Sequence, residues 1–133
     1  MASRVLFLWF PAVVLCTCAR ADAPAFDPAT MMRVEEVQRG MKGYGLSVFH
    51  GVQIERFDVE IMGVLSQAIL GADMILAKVT SGPVVERNSG IIGGMSGSPV
   101  YINDRLIGAI AYGWGFTREP ICGITPIEAM LDS

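Results

Sequence analysis

Between residues 44 and 112 the apolar positions recur with a period of two over short runs, the pattern of strands that turn one face to a core. Residues 44–49 and 52–65 are rich in β-branched and aromatic side chains, and His50 with Gly51 between them predicts a tight hairpin turn. Along the second arm the apolar phase runs Val52, Ile54 and then Phe57, Val59, Ile61. It slips by one position near Glu55 and Arg56, which predicts a β-bulge there. Residues 73–80 predict a further strand, followed by a loop over 81–95 that contains Gly82, Pro83, Gly90, Gly93 and Gly94. Loops of that length in small domains are usually functional. Residues 98–102 and 105–112 predict a second hairpin, because Asn103 and Asp104 tolerate the positive φ of a tight turn. Its second strand is apolar on both faces, which predicts a central position.

The two ends read differently. Residues 22–30 lack periodicity and contain Pro24 and Pro28, so they predict an extended arm that docking alone would order. Residues 31–38 predict a short helix, with Thr30 as N-cap and Arg39-Gly40 as its stop. At the other end Thr125, Pro126, Ile127 and Glu128 fit the N-cap, N1, N2 and N3 positions of a capping box opening a terminal helix. Ahead of the arm, Arg4 precedes an uncharged run over 5–18, and Ala19, Ala21 and Ala23 supply small residues at signal-peptidase spacing. That run of 14 residues includes Pro11 and falls short of the ~18 residues a membrane-spanning helix needs. The expected organisation is a signal peptide over 1–21, the arm over 22–39 and a folded domain over 40–133, exported to a periplasm or the medium.

Signal removal changes the remaining numbers. Cleavage after Ala21 leaves 112 residues, enough for one small domain. Loss of Arg4 and Arg20 moves the net charge from −3 to −5, which argues against nucleic acid and anionic lipid as partners. All 15 glycines stay, a composition that suits short strands and tight turns. Cys16 and Cys18 leave with the signal, so Cys122 is left without an internal disulfide partner. No His/Cys cluster has metal-ligand spacing and no phosphate-cradling loop runs from a strand into a helix, so no metal or nucleotide cofactor is expected.

The informative stretch is Gly93-Gly94-Met95-Ser96-Gly97-Ser98-Pro99, running into Val100, Tyr101 and Ile102. A serine on a glycine-flanked turn can aim its oxygen into a cleft while successive backbone N–H groups converge on one point, a nucleophile beside an oxyanion hole. Ser96 is the candidate nucleophile, and the N–H groups of Gly94 and Ser96 are the candidate donors. The alternative reading is a glycine turn between strands in which Ser96 and Ser98 bond their own backbone. The order of nucleophile turn, strand, tight turn, the run Leu106-Ile107-Gly108-Ala109, then Trp114 between glycines and a short terminal helix resembles the end of chymotrypsin-like serine peptidases.

One branch is more similar still. Gly94-Met95-Ser96-Gly97-Ser98-Pro99, preceded by Ile91-Ile92 and by Gly43-Tyr44-Gly45 and the run from Ile54 to Ile61, resembles the SpoIVB-type sporulation peptidases over about residues 40–131. The resemblance implies a mainly β fold, a single small chymotrypsin-like barrel or half-barrel with a short C-terminal helix. It implies peptide-bond hydrolysis through an acyl-enzyme on Ser96, a peptide or protein substrate, and Gly93, Met95, Gly97, Ser98 and Pro99 as the framework of the motif. The family's histidine belongs upstream of the matched region, where this chain has its arm and signal, and the family's Thr-Asp pair falls on Thr80-Ser81. The chain's sole histidine, His50, is then the candidate base of a self-contained mechanism, with Asp58 or Asp73 to orient it. Two other readings stand beside this one: a non-catalytic peptide-binding or regulatory domain on the same scaffold, and the front part of a longer peptidase.

Overall fold

Inward positions on the strands carry the large aliphatic side chains, and that alternation closes the sheet on itself. The computed structural model describes residues 24–91, 93–114 and 119–133; the expected signal peptide lies outside them. Six strands, β1 (Lys42–His50), β2 (Gln53–Ile69), β3 (Ala72–Val79), β4 (Pro99–Ile102), β5 (Arg105–Gly113) and β6 (Ile121–Pro126), form a closed antiparallel barrel in the order β1-β2-β3-β6-β5-β4. Phe57, Val59 and Ile61 of β2, Ile75, Ala77 and Val79 of β3, Val100 and Ile102 of β4, and Cys122 and Ile124 of β6 are buried in one core. Closure brings β1 against β4, where Gly45 lies under the Phe57 ring so tightly that a Cβ would stand 2.1 Å from a ring carbon.

The hairpin over 44–65 exists, with two corrections. His50 ends β1 and pairs with Gln53, so Gly51 and Val52 make the turn. The bulge is not at Glu55-Arg56, because the β1–β2 register is continuous from Ile54 to Glu60 and the irregularity lies on β1 between Val48 and His50. The apparent slip has another cause. Val52 and Ile54 are exposed near the hairpin tip, beyond the core that sets the phase of Phe57, Val59 and Ile61.

The second hairpin is as expected: Asn103 and Asp104, at φ 50° and 59°, join β4 to β5. The double-sided apolar character of β5 has a physical source. Its backbone pairs with β4 and β6, while the arm and the terminal helix α2 (Ile127–Leu131) pack on it. The arm docks through Met31, bridged in parallel to Leu106, with the Met32 N–H donating to the Leu106 carbonyl and the Leu106 N–H to Thr30. Arg105 grips Glu36 with both terminal guanidinium nitrogens, at 3.0 and 2.9 Å.

The short C-terminal helix is as expected, but its start and the helix over 31–38 need revision. Over 31–38 only a single 3₁₀ turn, Val34–Glu36, forms, and the Thr30 hydroxyl bonds Asp27 instead of capping a helix. At the C-terminus Thr125 is inside β6, paired with Ala109, and no side chain caps α2. Glu128 does not reach back to its own helix start; its carboxylate takes the Arg33 guanidinium and the Val34 N–H, which ties the arm to the helix. Strand β6 is missing from the sequence reading because its Gly123 and Pro126 look like turn residues. Barrel closure recruits them.

Candidate active site

The loop from β3 to β4 lays down one short helix, α1 (Pro83–Glu86), and ends in a 3₁₀ turn, Gly93–Met95. Met95 then drops fully into the core and Gly97, at φ +84°, reverses the chain in a conformation that favours glycine. The turn is fastened to β5 on both sides: the Gly97 N–H donates to the Ile110 carbonyl at 2.7 Å, and the Ile110 N–H to the Ser98 carbonyl at 2.9 Å. Between these anchors Ser96 has nowhere to go but outward, and it is exposed.

The two serines of the motif therefore do different jobs. Ser98 is 7% exposed and donates its hydroxyl hydrogen to Ser47 Oγ of β1 at 2.9 Å, a buried polar pair that locks the turn to the barrel wall. Ser47 escaped the sequence reading. Its signal was a polar residue in the inward phase of β1, two positions after Gly45.

Ser96 opens onto a recess of about 150 Å³ that it shares with Ile91, Gly93, Ile110, Ala111, Tyr112 and Gly113. The register of β5 against β6 shifts between Ile110 and Tyr112, so Ala111 bulges beside the serine. The β4–β5 register ends at Pro99 and Ala109, which leaves the 111–113 stretch of β5 without a β4 partner. Trp114 follows, partly exposed. In the present conformation the Ser96 N–H donates back to the Gly93 carbonyl at a long 3.4 Å. Freeing both expected donors for one oxyanion requires the Gly93–Gly94 peptide to rotate. A Cβ at either glycine would meet nothing within 4 Å, so neither is packed against another part of the described chain.

The other candidates are placed elsewhere. His50 is exposed, with Arg87 Nη2 at 2.9 Å from Nε2 and Glu55 at 3.8 Å from Nδ1, and no hydrogen bond joins it to Ser96. Neither expected orienting carboxylate faces it. Asp73 accepts the Gln67 N–H at 2.9 Å. Asp58 accepts the Ser81 hydroxyl at 2.8 Å and the Arg56 Nε at 3.2 Å, and the Ser81 hydrogen bond, ahead of Arg56, holds its pKa below the usual aspartate value. Ser81, which stands where the resemblance leads one to expect the Asp of a Thr-Asp pair, thus pairs with a carboxylate from β2. Cys122 is no rival nucleophile: burial pushes its pKa up to about 12, so it stays a thiol.

A larger groove, about 520 Å³, lies over β1 and β2, and part of its polar lining is already paired: the Tyr44 hydroxyl donates to Asp104, and Arg56 lies over the Tyr44 ring beside Asp58. Among the described residues no three His, Cys, Asp or Glu side chains cluster as metal ligands would, and no helix is long and apolar enough to cross a membrane.

The sequence comparison agrees with this geometry. A family model described as SpoIVB peptidase S55 matches residues 20–131. The chain belongs to the SpoIVB peptidase S55 family. The match covers the arm, all six strands and the Ser96 turn, and it implies a serine-peptidase-related domain that acts on a peptide or protein. Neither the curated proteins nor the solved structures contain a match to this S55 domain.

Proposed function

We propose that this S55 domain is an exported serine peptidase that cleaves a peptide bond through an acyl-enzyme on Ser96. The observation that carries the reading is the exposed Ser96 hydroxyl on a turn pinned to the core by Met95, Gly97 and Ser98, beside a length of β5 without a β4 partner. An extended peptide adds to 111–113 as a strand, which sets its scissile carbonyl against Ser96. Ser96 Oγ bonds to the carbonyl carbon as its proton passes to a base. Collapse of the tetrahedral adduct breaks the C–N bond, and the same proton leaves on the amine. Water then attacks the ester carbon and restores the serine. Rotation of the Gly93–Gly94 peptide frees the Ser96 N–H to join the Gly94 N–H on the oxyanion, a donor worth about 3 kcal/mol in the transition state.

His50 is the chain's one imidazole, and service as base requires its release from Arg87. That engagement favours the second reading, a peptide-binding domain on a peptidase scaffold that does not cleave. Labelling with a fluorophosphonate, with the modified peptide located by mass spectrometry, separates the two. The expected result is modification at Ser96 alone, lost in Ser96→Ala. A folded protein that stays unmodified refutes autonomous catalysis, and retention of labelling in His50→Ala removes His50 as base. Export is tested by the N-terminal sequence of the secreted product, expected to begin at Asp22.

A further inference from the structure

The sheet is closed over only part of the length of β2. That strand has 17 residues and β1 has nine, and their pairing ends with Lys42 opposite Glu60. One further exchange joins Ile61 to Gly40 and Met41 of the arm, after which β2 pairs with β3 alone up to Ile69. The pairing of β3 with β6 reaches only to Ile75, so residues 66–74 form a two-stranded ribbon closed by Leu70 and Gly71 at φ 51° and 83°. In an antiparallel ladder alternate residues turn their N–H and C=O away from the partner strand. Along 62–66 those outward groups have no backbone or side-chain partner among the described residues. Farther out the edge is occupied: residues 66–68 bulge opposite Asp73, whose carboxylate accepts the Gln67 N–H at 2.9 Å. Open edges are commonly blunted by charge or proline. Residues 61–72 carry neither, and the bulges at Met62 and 66–68 bracket the regular stretch Gly63–Leu65 without covering it. Met62 and Leu65 are exposed beside that stretch, and Leu70 is fully exposed at the tip.

We propose that the β2 edge over 62–66 is a self-association site, at which two copies of this chain pair edge to edge, antiparallel about a two-fold axis. The open backbone groups specify the kind of occupant. A row of donors and acceptors is satisfied by another strand; in a lipid core an open edge stays unsatisfied. A second copy supplies the same edge, and two-fold pairing lays 62–66 on itself with no like charges opposed. Two ribbons, each of a kind that is marginal in water by itself, become one four-stranded sheet across the axis. The exposed Met62 and Leu65 side chains of both copies are brought together there. Because the contact is short, the dimer is weak and forms in proportion to protein concentration. Pairing at this edge requires no catalysis by Ser96.

The test is sedimentation velocity on the purified protein across two decades of micromolar concentration. The mass is expected to rise from monomer to dimer and to stop there, since the two edges close on each other. Hydrogen exchange reads the contact itself: amides within 62–66 should gain protection as the dimer fills, while those of the hairpin tip at 50–53 should not. Leu65→Lys brings two ammonium groups to one short interface and should weaken dimerisation at least about tenfold. Leu70→Lys, at the tip beyond the edge, should leave it unchanged. A monomer at every concentration, growth past the dimer, a dimer without protection at 62–66, or loss of the dimer in Leu70→Lys but not in Leu65→Lys would overturn the proposal. The exchange measurement on the parent chain decides the matter whether or not either variant folds.

Discussion

The turn that carries Ser96 and the hairpin tip that carries His50 both present a polar side chain to solvent, but only one of them is held. Around Ser96, Met95 is fully buried, Ser98 is bonded to Ser47, and Gly97 and Ser98 exchange backbone hydrogen bonds with Ile110. Around His50, Gly51 is an exposed turn residue and Val52 is 93% exposed; the imidazole leans on Arg87 and Glu55, neither of them buried. Exposure alone does not mark a catalytic group. A nucleophile must sit within a fraction of an ångström of its working position, and only a supporting layer of packed and bonded neighbours supplies that. By this measure the Ser96 turn is a built site and the histidine tip is not.

The contrast makes graded predictions. Met95→Ala empties a fully buried site directly before Ser96 and should cost about 2–5 kcal/mol in urea denaturation, with loss of Ser96 reactivity toward the fluorophosphonate. An effect below 1 kcal/mol would mean the turn is not anchored through the core. Ser98→Ala leaves the Ser47 hydroxyl buried without its donor and should cost about 1–3 kcal/mol, much of it recovered in the Ser47→Ala/Ser98→Ala double variant, where neither polar group remains. Additive losses in the double variant would contradict the pair.

Asp58 supplies a pH signature. Its pKa is lowered in the folded state, first by the Ser81 hydrogen bond, so the stabilisation is present above the usual aspartate pKa and is lost as the pH falls through the folded value. The thermal midpoint should therefore drop less between pH 7 and pH 3 in Ser81→Ala than in the parent. Identical pH profiles would deny Ser81 its structural role. At the small end of the scale, His50→Ala and Val52→Ala should each shift stability by no more than about 0.5 kcal/mol, because both sit at an exposed tip. A larger loss at His50 would show that the tip is held after all.

How far each feature could be read from the chain depends on the range of the interactions that make it. The Asn103-Asp104 hairpin was legible because positive φ is a local preference of those residues, and the inward phase of β2 was legible through Phe57, Val59 and Ile61. Ser96 was legible because the conformational freedom of Gly93, Gly94 and Gly97 is written in the glycines themselves. Strand β6 was not, since Gly123 and Pro126 argue locally against a strand and are overruled by pairing with β5. The capping box at Thr125 failed for a related reason: Glu128 has a local use, but Arg33, 95 positions earlier, competes for its carboxylate and wins.

Period and turn chemistry were enough to predict the strands and tight turns, the glycine-flanked turn singled out Ser96, and the resemblance of the 94–99 motif to the SpoIVB-type peptidases pointed to the family; each depends on neighbours a few residues apart. Which residues meet across the barrel was settled by closure of the sheet. Ser47 found Ser98, Ser81 found Asp58, Ile91 came down over Gly113, and His50 was carried to Arg87 and Glu55 instead of to a buried acid. Those pairings follow from strand register and packing over separations of tens of residues, and no local preference encodes them.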